Sequence, residues 1–453
     1  MRMIGVDIGT TTLSFVVLDT ESGELMECVN LPNTAAITGV QEEARMQDPA
    51  VIVSAIREQI ARLKKRYAPV DAIGLDGQMH GMLYTDRHGK AVSPLYTWQD
   101  GHGQLDAGGE TYAQRLSRLT GYSMSTGFGL TTHYALSCLG RAPLDAHRIC
   151  TIADYAAMCL TGLTEPVSHA SNAASMGLFD AADGEWDTEA AARAGIAPGI
   201  LPEITRTCRM IGYDADGTPI CCAIGDNQAS FIGSVSDPES SVLLNVGTGG
   251  QVSMMGCAGA ALHECEMRPL EGERMLLVGS SLCGGRAYAM LHRFLLSCAQ
   301  LAGSHVDSLY DQMNREALDA LEDTTLTVNT RFCGSRVNPR ERGSITGIDD
   351  QNLTPGALAA GVLHGMAAEL YAFYGEMIRA GTQPARVMIV SGNGVRRNPA
   401  LRRALQMRFD LEMKAPAHHE EAAYGAALSA VLALGGDEAY ARARSMMRYI
   451  DAG

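Results

Sequence analysis

A strand–turn–strand unit that occurs twice constrains this chain more than any other feature. The first copy opens the sequence. Met3 to Val6 is apolar and reads as a buried strand, and Leu13 to Leu18 reads as its partner. The turn between them is Asp7-Ile8-Gly9-Thr10-Thr11-Thr12. The second copy begins at Ser241 to Val246, turns through Gly247-Thr248-Gly249-Gly250, and returns over Gln251 to Met255. Laid over each other, Asn245 falls on Asp7, Gly247 on Gly9 and Thr248 on Thr10. A second pair of segments follows in the same order. Val70 to Leu75 is a strand that runs into a polar glycine turn, and Arg386 to Val390 runs into Ser391-Gly392-Asn393-Gly394. Two matches in register point to a duplicated α/β unit rather than to two unrelated glycine turns.

The turn chemistry suits phosphate. Backbone N–H groups and hydroxyls at a hairpin tip can grip a phosphate chain. Asp7 can hold a hydrated Mg²⁺ ion, which favours hard carboxylate oxygens. A P-loop is excluded, because no Gly-Lys-Ser/Thr is present. The second copy carries Asn245 where the first carries Asp7, so one copy would organise the metal and the other would grip phosphate only. Gly249 and Gly250 let the backbone approach closely. The expectation is a two-lobed nucleotide-binding protein with one gripping turn from each lobe.

Bulk properties agree. A chain of 453 residues exceeds one ordinary core. The net charge of −15 argues against a nucleic-acid partner. Twelve cysteines occur without a CxxC pair or zinc-type spacing, so they read as reduced and mostly buried, in an intracellular protein. No signal peptide and no membrane-spanning run are evident in the sequence.

Phosphoryl transfer also needs a base beside the acceptor hydroxyl. Asp226 fits: it follows the strand Ile220 to Ile224 and opens a helix at Asn227. Helix capping is the alternative use of such a residue. Gln78, Met79 and His80 offer two hydrogen-bonding side chains around an apolar one, as a polyhydroxylated substrate requires, although a lone His at a strand end is commonly structural. Trp98, beside Gln99 and Asp100, offers an aromatic face for sugar C–H surfaces, with core packing as its alternative. Asp76 reads as a turn residue, with a second carboxylate in the site as the alternative.

The ordered motifs resemble the FGGY carbohydrate kinase family of the actin-like ATPase superfamily. They are DIGTTT from Asp7, GQMHG at 77–81, TWQDG at 97–101, DYAAMCLTG at 154–162, SNAAS at 171–175, GDNQAS at 225–230, NVGTGGQVS at 245–253, GSITGIDDQNLTPGAL at 343–358, SGNGVRRNPALRRAL at 391–405 and EEAAYGAALSA at 420–430. The resemblance implies an α/β fold of two duplicated actin-like (ribonuclease-H-like) domains flanking a nucleotide cleft. Residues 1–237 would hold the sugar site and base, and 238–453 the nucleotide. It implies that ATP and Mg²⁺ are used, with Asp226 as general base and Asp7 and Asp226 at the metal. Gly9, Thr10, Thr11, Thr12, Gly247, Thr248 and Gly249 would hold phosphates, and Gly392, Asn393 and Asn398 would lie at the adenosine. Gln78, Met79, His80, Trp98, Asp100 and Asn227 would line the sugar site. TWQDG, STGFGLTTHYAL at 125–136, GDNQAS and SGNGVRRNP are similar to the sedoheptulose-phosphorylating members, while xylulose-phosphorylating members share GQMHG. A cytoplasmic enzyme with sugar and ATP as partners is implied, and a homodimer is left open.

Three departures bear on substrate choice. His102 stands where relatives usually carry Arg, Asp76 where Ser, Thr or Val is common, and His169 where Asp is frequent.

Overall fold

The computed structural model describes residues 1–256, 262–338 and 340–452. Two compact units emerge. The first comprises 1–236, 268–273 and 420–447; the second comprises 237–267, 274–419 and 448–453. A single cut after residue 237 therefore leaves out two returns of the chain to the first unit, and the larger return is the helix Glu421–Ser445.

In the first unit, Arg2–Ile8, Thr12–Asp19 and Glu24–Pro32 form an antiparallel meander. Ala72–Gly77 pairs parallel with Arg2–Ile8, and Pro219–Cys221 pairs parallel with Ala72–Gly77. Met210–Tyr213 closes the edge antiparallel. The first two strands are buried almost throughout, as their continuous apolar runs require. One helix covering the sheet, Pro49–Tyr67, buries Ile52, Val53, Ile56, Ile60 and Leu63 at helical spacing, and Asp48 caps it through Ala50 N. The helix Glu421–Ser445 packs against the sheet through glycines. A Cβ on Gly5 would sit 1.9 Å from the Ala423 carbonyl oxygen, and one on Gly74 1.8 Å from that of Ala426. Backbone meets backbone there, which only glycine allows.

The second unit repeats the order. Arg274–Ser281, Gly250–Gly256 and Ser241–Val246 are antiparallel neighbours. Val387–Ser391 and Glu412–Pro416 continue in parallel, and Tyr449–Asp451 closes antiparallel. Its core helix is Pro355–Arg379, with fourteen buried residues. That helix is long and apolar enough to cross a bilayer, but most of its apolar stretch is buried within the unit.

Two sequence expectations shift. The strand read at Val70 to Leu75 runs over Ala72–Gly77, so Asp76 is a buried strand residue rather than part of a turn. The strand read at Ile220 to Ile224 is two short strands, Pro219–Cys221 and Ile224–Gly225, both beside Ala72–Gly77.

Candidate active site

In the first unit, sheet register assembles a set of carboxylates. Asp7 pairs with Asp76 across the parallel ladder, and Ile224 pairs with Asp76 from the other side. Asp226 follows two residues later as the first residue of the helix Asp226–Ser234. Gly225 is the cap residue of that helix and makes no side-chain capping bond, so Asp226 is not spent as an N-cap. Burial pushes Asp226 up to about 6, against the lowering effects of the Asn227 N–H and the Arg268 guanidinium. Burial and the charge of Asp226 push Asp7 up to about 7. Burial and the charges of Asp7 and Asp226 hold Asp76 well above the carboxylate range. Both oxygens of Asp76 are buried and lack a hydrogen-bond partner among the described residues. Crowded carboxylates with unpartnered oxygens are a donor set suited to a hard divalent cation.

The hairpin tip beside them is braced from below. Gly9 N donates to Thr12 O at 3.0 Å, and Asn33 Nδ2 donates to Gly9 O at 2.9 Å. Gln47 Nε2 donates to Thr10 O at 2.7 Å. Gln78 accepts from Thr10 Oγ1 at 3.2 Å and donates to Gln47 Oε1 at 2.9 Å. Trp98 Nε1 donates to Thr10 Oγ1 at 3.0 Å while the residue stays 47% exposed. Thr11 is exposed, and Thr12 is the first residue of the returning strand.

Several residues expected at a sugar site already have partners within the fold. Gln78 is buried and braces the hairpin. Asp100 is fully buried: Oδ1 accepts from His102 N at 3.1 Å and meets His102 Nδ1 at 2.8 Å, and Oδ2 accepts from Arg45 N at 3.3 Å. It orders its own turn, and His102 is buried with it. Met79 packs on Gly225. His80 is partly exposed, with φ at 72°, a region uncommon for a residue with a side chain. Ser175 fixes it twice: His80 N donates to Ser175 Oγ at 3.0 Å, and Nδ1 donates to Ser175 O at 2.8 Å. Its ring stacks on Phe128 at 4.8 Å. Because a carbonyl only accepts, Nδ1 carries the proton of that bond. Asn227 Oδ1 accepts from Arg268 Nη1 at 3.2 Å.

In the second unit, Gly247 and Thr248 line a pocket of about 740 Å³ together with Asn393 and Asn398. Tyr288, Tyr310, Arg286, Arg293 and Arg397 complete much of its wall. Gly285 N donates to Gly247 O and Arg286 N to Thr248 O, each at 3.0 Å, so the start of the helix Gly284–Leu301 closes on the hairpin tip. At Gly249 the chain runs so close to Gly284 that a Cβ on Gly284 would lie 2.3 Å from it. Gly392 has φ of 85°, and a Cβ there would lie 2.6 Å from Val246 O and 2.8 Å from Asn245 Oδ1. Asn398 caps the helix Pro399–Phe409 through Leu401 N at 2.9 Å. Its amide oxygen is therefore engaged in the helix as well as bordering the pocket.

Sequence reasoning missed Gln47, Tyr288, Tyr310 and Arg268 as neighbours of these sites. None lies in a motif turn, and only the fold brings them there. Asp76 carried a signal, a carboxylate in a run of buried apolar residues.

Residues 2–242 match the N-terminal domain, and 243–434 the C-terminal domain, of the FGGY family of carbohydrate kinases. The chain is 28% identical to the sedoheptulokinase of Homo sapiens, over 94% of this chain and 96% of that protein. It is 24% identical to the xylulose kinase of Streptomyces rubiginosus, over 98% and 90%. A ligand-bound crystal structure of xylulose kinase from Lactobacillus acidophilus superimposes with a TM-score of 0.83 at 20% identity, covering 99% of this chain and 92% of that one.

Proposed function

The chain belongs to the FGGY family of carbohydrate kinases, and from that premise we propose that it transfers the γ-phosphoryl group of ATP to the terminal hydroxyl of a ketose, sedoheptulose above others. The observation that carries the chemistry is Asp226. It stands in the first turn of a helix near the half-buried Asp7 and the buried Asp76, partly exposed, with a proton affinity raised towards neutral pH. A general base works best when its pKa lies near the working pH. In this reading, Asp226 takes the proton of the sugar hydroxyl as the hydroxyl oxygen bonds to phosphorus and ADP departs. Asn227 and His80 bind sugar hydroxyls, and Met79 supplies apolar surface. Gln78 and Asp100 hold the hairpin and its neighbouring turn in place rather than touching the sugar.

The nucleotide is assigned to the second unit, the sugar and the base to the first. Tyr288 and Tyr310 give the 740 Å³ pocket aromatic faces for a purine, and Arg286, Arg293 and Arg397 suit phosphate oxygens. Gly392 and Asn393 border the nucleoside. Gly9, Thr10, Thr11, Gly247, Thr248 and Gly249 grip phosphates. Asp7 and Asp226 would hold Mg²⁺, and the orphaned oxygens of Asp76 make the carboxylate set a good fit for it. When bound, the ion neutralises charge on the phosphates. The free thiols among the described residues suit an enzyme of the cytoplasm.

The preference for sedoheptulose is supported by 28% identity to a sedoheptulokinase against 24% to a xylulose kinase. The xylulose kinase match spans 98% of this chain against 94%, which favours xylulose as the second reading. A coupled ADP-release assay over sedoheptulose, xylulose, ribulose and glycerol decides. The highest kcat/KM is expected with sedoheptulose. A preference for xylulose would replace the substrate assignment, and no turnover on any sugar with ATP still bound would overturn the reading as a whole.

A further inference from the structure

Two thiols of the second unit, fifty residues apart in the chain, meet beside the pocket. Cys283 Sγ and Cys333 Sγ lie 3.7 Å apart. Cys283 stands immediately before the helix Gly284–Leu301. Cys333 sits in the turn that Gly334 N closes on Arg331 O at 3.0 Å. That turn is anchored, because the Arg331 guanidinium holds both oxygens of Glu264 at 2.7 Å. The Cys333 amide also faces the Cys283 sulfur.

The two thiols differ as a reactive and a resolving cysteine should. Cys333 is partly exposed, and Arg286 Nη1 lies 3.7 Å from its sulfur. A guanidinium beside a thiol favours the thiolate, which is the nucleophile. Cys283 is 1% exposed, and burial pushes its thiol up to about 12, so it stays protonated. An oxidant in water therefore reaches Cys333 first and finds Cys283 in contact behind it. Cys221 and Cys222 are also neighbours, but both are fully buried and closed to such an oxidant.

We propose that Cys333 and Cys283 are a modification site for hydrogen peroxide, and that their disulfide weakens the grip of the Gly247–Thr248 tip on phosphate; the second half rests on the assignment of the nucleotide to this pocket. The Cys333 thiolate attacks one peroxide oxygen. The O–O bond breaks, hydroxide leaves and takes up the proton the thiol had released, and Cys333 becomes a sulfenic acid. The Cys283 sulfur then bonds to the Cys333 sulfur, and its proton leaves with the sulfenic hydroxyl as a second water. Two electrons pass from the thiol pair to one peroxide, and a dithiol reductant returns them. A disulfide bond measures about 2.05 Å, so the sulfurs must close by about 1.6 Å. Cys283 transmits that pull to Gly284, Gly285 and Arg286. Gly285 N and Arg286 N hold the hairpin tip at 3.0 Å, and the backbone contact of Gly284 with Gly249 leaves no slack to absorb it. Arg286, a wall residue of the pocket, also loses the thiolate it faces.

The test is a peroxide titration of the full-length protein, read by non-reducing peptide mapping and by calorimetry with ATP. The map is expected to show Cys283 joined to Cys333 within one chain. ATP affinity should fall about tenfold or more, as a misplacement of about 1 Å at a binding group can cause, and dithiothreitol should restore it. Cys333→Ser should keep its ATP affinity through the same treatment. In Cys283→Ser, dimedone should trap the sulfenic acid on Cys333. If that buried variant fails to fold, Arg286→Gln reports on the same thiol, slowing alkylation of Cys333 about three- to tenfold. A disulfide at Cys221–Cys222 or between chains in place of this one, or a Cys283–Cys333 bond that leaves ATP affinity unchanged, would overturn the proposal. Reduced protein that binds no ATP would overturn the pocket's assignment and the second half with it, while the peptide map decides the first half by itself.

Discussion

Asp226→Asn should make the metal-free protein more stable while disabling it. Burial raises this carboxyl from 3.8 to about 6, which corresponds to about 3 kcal/mol. The sign follows from proton linkage. Below pH 3.8 both folded and unfolded forms are protonated, and the term vanishes. As pH rises towards 6 the unfolded chain ionises first, so the folded state loses stability; above 6 the full penalty is in place. Asn carries no charge and escapes it. Asp226 is partly exposed, so solvent screening reduces the gain to about 1–3 kcal/mol. In a unit of this size that is a rise in Tm of about 2–8 °C. Thermal melts with a chelator at pH 7.5 and pH 4 measure it, with the gain expected only at pH 7.5. Added Mg²⁺ should stabilise the wild type and leave the variant nearly unmoved. Phosphoryl transfer should fall at least about a hundredfold. Equal stability at both pH values, or a lower Tm at pH 7.5, would refute burial as the source of the raised proton affinity.

Gly425→Ala should cost at least about 2 kcal/mol by chemical denaturation, because its Cβ would lie 1.9 Å from the Ala229 carbonyl oxygen; Gly195→Ala, with open space around it and φ of 74°, should cost only about 1 kcal/mol. The buried His133, held down to about 4 by burial, stays neutral in the fold, so acidification from pH 7 to 4 should cost the wild type up to about 3 kcal/mol that a His133→Phe variant does not lose. That difference is read as the change in the stability gap between the two proteins; a gap independent of pH would clear His133. Gly392→Ala should weaken ATP binding by about tenfold or more in calorimetry while leaving sugar affinity unchanged, since the new Cβ would press on Val246 O and Asn245 Oδ1 at the strand end.

The duplication was legible from residues alone. Apolar runs of strand length around a glycine turn, met twice in the same order, imply two sheets built alike, and six strands of each sheet do share one order and one set of directions. Asp226 stood out because a carboxylate after an apolar run and before a helix has few roles. Local pattern carries such information because strand and turn formation depend on neighbours in the chain.

Which polar side chains remain available was not legible. Gln78 and Asp100 looked like ligand groups by type and position, and Asn398 by family resemblance, and each is engaged by a partner: Gln47 and Thr10, Arg45 and His102, and the Leu401 amide. Asp76 looked like a turn residue and is the register partner of Asp7. His169 looked like a departure from a motif and faces Glu271, whose segment reaches it only after an excursion through the second unit. Burial consumes hydrogen-bonding groups according to who sits opposite, and that is set by strand register and by segments far apart in the chain. The sequence by itself determined that there would be two such sheets, each with a phosphate-type hairpin. Tertiary structure decided which carboxylates share one site, because only the closed ladder sets Asp7 beside Asp76 and brings Asp226 next to them.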